Sequence, residues 1–353
     1  EQTNMGMLIY YKNLKIRDLT IQNGYHKVGG ILCRGSSPVI ENCNIFINFG
    51  YSVGGIDCYS DSAPVIRNCN ITHNIGNEGG GIRFFNESNA TVINCDISHN
   101  TGTNYGGGIR ADYFSTPLIF GSRISNNGSF YGGGVCAYKS DIQLVNTLIC
   151  NNFGGYGGGI FASQGSPVLS NCTVVDNFAD LAGGYGGYVN PQAPITNCIF
   201  WNNSPDQIAD DIEPDATYCN IQGGYPGEGN IDTDPMFITG LEGYFFLSQA
   251  ASGQGQDSPS VDAGSDLAEN LFVELVDETV YFSDLTTRTD GGLDSGQVDM
   301  GCHYPLGGIP SLCINNGDVN LDGMVTSGDG QLAFMIALAM YTPSPTQFCA
   351  ADC

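Results

Sequence analysis

The sequence predicts an all-β solenoid in which one short unit is stacked on itself about seven to eight times. Glycine pairs, aliphatic residues and asparagines each recur at intervals of 25 to 27 residues. Three unrelated residue types that hold one period over roughly 180 residues indicate a repeat architecture. The glycine pairs begin at Gly29, Gly54, Gly80, Gly107, Gly133 and Gly158; the aliphatic column holds Ile45, Ile71, Ile97, Ile124, Ile149, Val174 and Ile199; and the asparagine column holds Asn48, Asn74, Asn100, Asn127, Asn152, Asn177 and Asn203.

The order of residues within one repeat predicts about three short strands that pair in parallel with the repeats above and below. Pro38 is expected to open one strand, because proline suits a position whose amide hydrogen is not needed. Cys43 and Ile45 are two residues apart and so face one side of a strand, whereas Asn44 faces the other. The asparagine column is expected at a turn, where stacked side chains bond to each other and tolerate a left-handed backbone.

This order of proline, isoleucine, asparagine–cysteine, asparagine and glycine resembles that of the right-handed parallel β-helix repeat proteins of the secreted bacterial type. The resemblance covers roughly residues 14–222 and implies a right-handed parallel β-helix of about seven to eight coils. It does not imply one function, because pectin-active enzymes, adhesins and plain surface proteins share this architecture. We expect residues 1–222 to form the β-helix, residues 223–308 a C-terminal β completion or cap segment, and residues 309–353 a short helical calcium-loop tail.

The period fails after Ile221. Three motifs then follow that resemble the C-terminal segment completing and capping many bacterial β-helices, at Asp234–Phe237, Ser258–Gly264 and Val298–Cys302. A cap is also expected on physical grounds, because the last coil would otherwise leave an apolar cross-section and open strand edges. The alternating apolar residues of 269–284 predict an extra strand or hairpin.

The composition excludes several classes of function. The chain has 36 acidic and 11 basic residues, which gives a net charge of −25. Nucleic acids and anionic membrane surfaces bind clustered cations, so neither is expected as a partner. No run of roughly eighteen apolar residues occurs, and membrane insertion is not expected. An acidic, glycine-rich chain suits an extracellular or cell-surface location and calcium binding.

The sharpest motif lies in the tail. Oxygen-bearing residues at positions 1, 3, 5 and 12, with Gly323 at position 6, fit the twelve-residue calcium loop of EF-hands. Position 12 is Asp329, which resembles the loops of dockerin modules; those modules usually contain two such loops, and only one is present here. Ca²⁺ is therefore the predicted cofactor. The predicted ligands are Asp318, Asn320, Asp322, Met324 and Asp329.

An apolar helix is predicted after the calcium loop, over residues 327–341. It is apolar on nearly every face, so it must be buried on more than one side. It either packs on the cap of its own chain or contacts another molecule, and the second arrangement favours head-to-tail self-association into a fibre. The residues proposed for such a contact are Leu332, Phe334, Met335, Ile336, Leu338 and Met340.

The 14 cysteines fall into two groups. Cys43, Cys69 and Cys95 begin a column that continues in later repeats, and stacked cysteines of this kind are expected to be small, buried residues with free thiols. The cysteines outside the repeats are better candidates for disulfides in an oxidising compartment. They are Cys302, Cys313, Cys349 and Cys353.

Six N-x-S/T sequons are candidate sites of N-glycosylation in a secreted chain. Asparagine-rich repeats also generate such matches by chance, so the pattern by itself does not show which sites carry glycans. The six acceptors are Asn70, Asn86, Asn89, Asn127, Asn171 and Asn202.

No catalytic residue is predicted. Arg83 and Arg110 share a column with Asp57, and in polysaccharide lyases of this architecture an arginine or lysine acts as the base near bound calcium. No carboxylate cluster is evident around the two arginines, so an exposed stack of little energetic weight is expected instead. Asp57 and Asp112 lie in different columns, and we do not expect them to form the carboxylate pair of a glycoside hydrolase.

Ring side chains also form columns. His73 and His99 are one repeat apart and are expected to form an exposed polar stack, with a shared metal ion as the alternative. Tyrosines near the glycine pairs are expected to stack along one edge, which could bind sugar rings or a neighbouring rod. Simple packing over the glycine backbone is the alternative. These tyrosines are Tyr105, Tyr131, Tyr156 and Tyr185.

The function predicted from these observations is a secreted structural or adhesive surface protein that assembles end to end into an extracellular fibre. A polysaccharide-active enzyme on a β-helix, either a lyase or a glycoside hydrolase, is the first alternative. A carbohydrate-binding protein tethered through its tail to a cohesin-like receptor at the cell surface is the second. The expected partners are thus a second copy of the chain and a polysaccharide.

Overall fold

The computed structural model describes residues 6–188, 193–209, 212–239 and 245–305. Residues 7–221 form a parallel solenoid of about eight turns. Most turns contain four short strands rather than the three that the pattern predicted, because the chain before each glycine pair is also paired with its neighbours. We name the four parallel sheets A, B, C and D, in the order in which one turn visits them.

Within each sheet, neighbouring strands come from successive turns. Sheet A contains Met7–Tyr10, Ile31–Arg34, Ile56–Tyr59, Ile82–Phe85, Ile109–Asp112, Val135–Tyr138, Ile160–Ser163 and Tyr185–Tyr188. Sheet B contains Lys15–Arg17, Val39–Glu41, Val65–Arg67, Thr91–Ile93, Leu118–Phe120, Gln143–Val145, Val168–Ser170, Pro194–Thr196 and Asp215–Thr217. Sheet C contains Thr20–Gln22, Asn44–Phe46, Asn70–Thr72, Asp96–Ser98, Arg123–Ser125, Leu148–Cys150, Thr173–Val175, Ile199–Trp201 and Asn220–Ile221. Sheet D contains Tyr25–Val28, Phe49–Val53, Ile75–Gly76, Thr101–Tyr105, Gly128–Tyr131, Phe153–Tyr156 and Phe178–Leu181.

The interior of the solenoid is built from aliphatic columns. Ile45, Ile71 and Ile97 are neighbours in register in sheet C, as the repeat predicted. All three are fully buried, and burying one isoleucine side chain contributes on the order of 2 kcal/mol. The columns also determine the register, because a slip of one residue would turn every such side chain outward.

The asparagine column forms a buried ladder of hydrogen bonds. Asn74 Nδ2 donates to Asn100 Oδ1 at 3.0 Å, and Asn100 Nδ2 donates to Asn127 Oδ1 at 3.1 Å. Asn100 Nδ2 also donates to the backbone oxygen of Ile71 at 2.7 Å. The predicted left-handed backbone occurs one residue before the ladder, for example at His99 with a φ of 57°. Hydrogen bonds, and not an unusual backbone, therefore hold the ladder asparagines.

The last turn is covered by the chain that follows it. Ile221 N donates to Ile231 O, and Ile231 N donates to Cys219 O, which extends the hydrogen bonding beyond sheet C. Tyr225 packs against the interior cluster of aliphatic side chains. Residues 223–231 thus lie over this end of the interior, while the boundaries of the cap segment stay a prediction.

Residues 245–305, which we name the flank segment, lie against the outer side of the solenoid. Phe282 belongs to a buried cluster with Phe120 of sheet B. Asn146 Nδ2 donates to His303 O at 2.8 Å, and Asn146 Oδ1 accepts from His303 N at 2.6 Å. The segment therefore covers a side of the solenoid as well as following its end.

The elements after the solenoid are short and antiparallel. The pairing of Phe272–Glu274 with Thr279–Tyr281 confirms the hairpin predicted within residues 269–284. Across the ranges that the structure describes, no helix is long and apolar enough to cross a membrane. The remaining elements are the pairs Phe237–Thr239 with Phe245–Leu247 and Leu285–Thr286 with Tyr304–Pro305, and the 3₁₀ helices Ala250–Ser252 and Phe282–Asp284.

The cysteines of the repeats have free, buried thiols, as their columns predicted. Cys302, one of the four disulfide candidates, also has a free and buried thiol. Its Sγ lies 3.3 Å from the backbone oxygen of Asn146, because the flank segment packs it against the solenoid. The prediction of a disulfide at Cys302 is therefore not met in this structure.

The predicted tail, residues 309–353, lies outside the described residues. The calcium ligands from Asp318 to Asp329 and the contact residues from Leu332 to Met340 belong to it. So do the remaining disulfide candidates, Cys313, Cys349 and Cys353. These assignments stay predictions from the sequence.

Candidate functional site

The outer face of sheet A departs from the repeat. Each strand of this sheet directs its first and third residues to the buried interior, and therefore its second and fourth residues outward. The stacking of turns does not require particular residues at the outward positions, so their identity is free to serve another purpose. The second residues do not keep one type along the sheet: they are Leu8, Leu32, Asp57, Arg83, Arg110, Cys136, Phe161 and Gly186.

Aromatic rings on this face enclose a pocket of about 360 Å³, which we name the aromatic pocket. One wall comes from strands of sheet D, and the other comes from the outward residues of sheet A and the turn after them. The volume is near the lower end of the range for pockets that hold small molecules. The pocket is lined by Tyr105, Arg110, Tyr113, Tyr131, Tyr138, Phe161, Ser163 and Tyr188.

Three tyrosines of sheet D stack as the sequence predicted. The ring centroids of Tyr105 and Tyr131 are 5.3 Å apart, with 16° between the ring planes. Those of Tyr131 and Tyr156 are 5.4 Å apart, with 26° between the planes. Because the middle ring has a neighbour on each side, the stack presents ring edges and hydroxyl groups to the pocket more than ring faces.

Tyr188 differs from the stacked tyrosines because its ring lies across them. Its plane is tilted by 54° against Tyr156 and by 81° against Phe161. The residue is 42 % exposed, whereas Phe161 beside it is buried. Tyr188 is therefore the ring of the pocket that is best placed to offer a face to a ligand.

The prediction that Tyr185 continues the stack is wrong. Tyr185 pairs with Ile160 in sheet A and points into the interior, where it is 1 % exposed. The glycine pair of this turn, Gly183-Gly184, precedes Tyr185 instead of following it, so the tyrosine takes the isoleucine position. Leu181 occupies the place beside Tyr156 that a tyrosine fills in earlier turns.

Arg110 lies at the base of the pocket and is buried. Its guanidinium carbon is 4.2 Å from the centroid of the Tyr105 ring, which is a cation–π contact. Its Nη1 donates to the carboxylate of Glu78, and its Nε lies 2.6 Å from Asp112 Oδ2. The guanidinium of Arg110 is therefore paired with two carboxylates.

Asp112 is fully buried beside this guanidinium. Burial raises the pKa of its carboxyl group to about 6, and the nearby positive charge of Arg110 offsets only part of that rise. Glu78, in contrast, keeps 34 % of its side chain exposed. The carboxylate of Glu78 is thus the one closest to solvent in this group.

The prediction that Arg83 and Arg110 form an exposed stack without carboxylates around them is wrong. Both are buried, and Arg83 donates to Asp57 through Nε at 2.9 Å and through Nη2 at 2.8 Å. Asp57 comes from the turn before Arg83, and Asp112 comes from the outward column beside Arg110. The column pattern placed Asp57 next to Arg83, but it missed Glu78 and Asp112, because these two carboxylates lie outside the column of Arg110.

His73 and His99 lie elsewhere on the solenoid. Their rings are exposed and stacked, with centroids 4.9 Å apart and 3° between the planes, as predicted. Partial burial lowers the pKa of both imidazoles. Within the described ranges, no group of three or more histidines, cysteines, aspartates or glutamates could hold a metal ion.

The structure separates the six sequon asparagines into two groups. Asn70, Asn127 and Asn171 are buried, and Asn127 is part of the asparagine ladder. Predicted glycosylation at these three does not fit the structure, because a glycan would require the amide to leave its buried hydrogen-bonded place. The exposed members of the set are Asn86, Asn89 and Asn202.

Comparison with known proteins identifies the family. The chain belongs to the family described as "Right handed beta helix region", whose model matches residues 1–102 and, in an overlapping match, residues 53–204. No curated protein and no solved structure matches the chain. The family defines the architecture, and it leaves the use of the aromatic pocket to be argued from its residues.

Proposed function

We propose that this protein is an extracellular or cell-surface β-helix with an adhesive role, and that it binds a saccharide unit of a polysaccharide in the aromatic pocket. The observation that carries the proposal is the convergence of six aromatic rings above the buried guanidinium of Arg110. The net charge of −25 and the rigid solenoid support a surface location and a binding role.

The lining of the pocket has the two properties that saccharide recognition needs. Rings such as Tyr188 offer apolar area to the C–H groups of a sugar, and phenol and hydroxyl groups meet its hydroxyl groups. Ser163 adds a hydroxyl group to the lining, and the guanidinium of Arg110 adds polar N–H groups at the base. A cavity of about 360 Å³ suits one or two sugar rings and not a long segment of chain.

Binding is favoured over bond cleavage at this site. A glycoside hydrolase needs two accessible carboxyl groups that flank the scissile bond. Asp57 is bound through both oxygens to Arg83, and Asp112 is fully enclosed beside Arg110. Neither carboxylate reaches the space in which a sugar would lie.

Replacing Tyr188 with alanine tests the proposal. Tyr188→Ala should weaken binding of the best neutral hexasaccharide about tenfold, because the variant removes the exposed ring face of the pocket. Calorimetric titration against hexasaccharides of glucose, mannose and galactose would measure the loss. The matched control is Tyr51→Ala, which removes a 59 % exposed tyrosine that does not line the pocket.

Two outcomes would count against the proposal. One is the absence of binding to any hexasaccharide of the panel by the unmodified protein. The other is equal weakening by Tyr188→Ala and Tyr51→Ala, which would place the binding outside the aromatic pocket. Release of shorter products from polysaccharides would instead support the enzyme alternative, and Arg110→Ala should then abolish that release.

Calcium binding and assembly through the tail remain part of the proposal on sequence grounds. Ca²⁺ at the loop from Asp318 to Asp329 should be detectable by titration and should be lost in Asp318→Asn combined with Asp322→Asn. End-to-end assembly should appear as chelator-sensitive filaments in microscopy and sedimentation. Monodisperse monomers with and without chelator would contradict assembly, and capture of a cohesin-like receptor would favour the tethered alternative.

A further inference from the structure

The two buried arginines on the outer face of sheet A are compensated by carboxylates. Arg83, in the turn before Arg110, forms a complete bidentate ion pair with Asp57, with both bonds between 2.8 and 2.9 Å. Arg110, which lines the aromatic pocket, contacts the carboxylates of Glu78 and Asp112 at once. Lys139 adds a cation near the pocket, whose Nζ lies 5.2 Å from the centroid of the Tyr138 ring.

An anionic ligand would pair with Arg110 at the base of the pocket, but two carboxylates already neutralise the charge of this residue. Glu78 accepts from Nη1, and Asp112 lies against Nε. A ligand carboxylate would have to approach Arg110 beside the partly exposed Glu78, whose like charge opposes it. The net charge of −25 of the chain adds a long-range repulsion of polyanions.

An uncharged ligand meets no such opposition. A sugar hydroxyl group can accept a hydrogen bond from a guanidinium N–H and donate to a carboxylate oxygen without adding charge. Asp112 is enclosed, so the carboxylate of this group that a ligand can reach is that of Glu78, which is partly exposed beside Arg110. The group therefore favours a ligand that donates a hydrogen bond without carrying negative charge, as a hydroxyl group does.

We infer that the aromatic pocket takes an uncharged saccharide, and that Glu78 makes the pocket discriminate against saccharides carrying carboxylate or sulfate groups by occupying and shielding Arg110. This inference rests on the proposed binding function and adds the chemical class of the ligand. Glu78 is then a specificity-determining residue, and Lys139, which lies over the Tyr138 ring, has the opposite effect on an anionic ligand.

Paired ligands that differ in one charged group test this inference. The probes are neutral hexasaccharides of glucose, mannose and galactose, each beside its counterpart oxidised to a carboxylate at C6, and one sulfated form of each. The unmodified protein should bind the preferred neutral probe about tenfold more tightly than its oxidised or sulfated counterpart. Calorimetric titration at constant ionic strength gives the ratio directly.

Two variants should shift the ratio of neutral to charged binding affinity in opposite directions, and a third variant is the control. Glu78→Gln should reduce the preference for the neutral probe to about threefold or less, because the charge that opposes an anion is removed. Lys139→Gln should increase the preference, because a cation near the pocket is lost. Glu274→Gln, which changes an exposed carboxylate in the hairpin of the flank segment, should leave the ratio unchanged. Opposite shifts in two folded variants cannot arise from loss of folding.

The failure of this inference is distinct from the failure of the proposed function. Equal or tighter binding of the oxidised or sulfated probe by the unmodified protein would overturn the inference and leave saccharide binding intact. An unchanged ratio in Glu78→Gln would also overturn it. No binding of any probe would remove both the inference and the function on which it rests.

Discussion

Side chains that point into the solenoid and side chains that point out from sheet A follow opposite rules. The inward columns repeat one residue type, as in Ile45, Ile71 and Ile97, which are adjacent in register and fully buried. The outward column contains apolar, acidic and basic residues, and Asp57 and Arg83 are neighbours within it. The repeated columns maintain stacking, whereas the column that breaks the repeat provides the chemistry of a particular site.

The largest loss of stability is expected from a substitution in the inward asparagine ladder. Asn100→Ala removes an amide that donates to Asn127 and Ile71 and accepts from Asn74, and buried polar groups on both sides lose their partners. We expect the free energy of unfolding to fall by about 4 kcal/mol in chemical denaturation. Asn104→Ala, which removes an exposed asparagine stacked on Asn77, should cost less than about 1 kcal/mol. Similar losses in both variants would contradict a special role for the ladder.

A smaller change in the free energy of unfolding, which depends on pH, is expected from Asp112 on the outward face of sheet A. Burial raises the pKa of Asp112 in the folded protein to about 6 from an ordinary value of 3.8, so folding favours its protonated form. Its contribution to the free energy of unfolding therefore falls as the pH rises from about 4 to 6, by roughly 3 kcal/mol. The stability of Asp112→Asn relative to the unmodified protein should improve by that amount between pH 4 and pH 7. A pH-independent difference in denaturation would show that the carboxyl group is not perturbed.

The flank segment provides an intermediate case, because it is not part of the repeat but is buried against it. Both ring nitrogens of His303 lie near oxygen acceptors, at 2.8 Å from Asp294 Oδ2 and 3.0 Å from Gly301 O. His303→Gln should lower the free energy of unfolding by about 2 kcal/mol. His99→Gln, in an exposed stack, should change it by less than about 0.5 kcal/mol. Equal values for the two histidines in denaturation would show that the flank contacts add no stability.

Glycosylation should distinguish the exposed from the buried sequon asparagines, with almost no effect on stability. Produced in a secretory host that N-glycosylates, the protein should carry glycans at the exposed Asn86, Asn89 or Asn202 and not at the buried Asn127. Peptide mass spectrometry would locate them. Occupancy of Asn127 in folded protein would contradict the ladder, because that side chain is enclosed between Asn100 and Asn152.

Much of the solenoid was predictable and little of the pocket was. The stacking of Ile45 on Ile71 and the tyrosine stack from Tyr105 to Tyr156 followed from spacing alone. The fourth strand of each turn was missed, because its glycine-rich residues lack the alternation that indicates a strand. The pocket was missed because its lining residues, such as Tyr113 and Tyr188, occupy different positions of their turns.

The order of residues by itself determined the stacking, the register and the buried ladders, since each depends only on a side chain meeting its own equivalent one period away. Tertiary structure decided that Arg110, Glu78 and Asp112 meet, that Tyr185 turns inward, and that the flank segment lies along the side. Arg110 and Asp112 lie two residues apart in one strand, whereas Glu78 comes from an earlier turn and from a different position in it. The contact between Glu78 and Arg110 therefore depends on the cross-section of the solenoid, which no single column records.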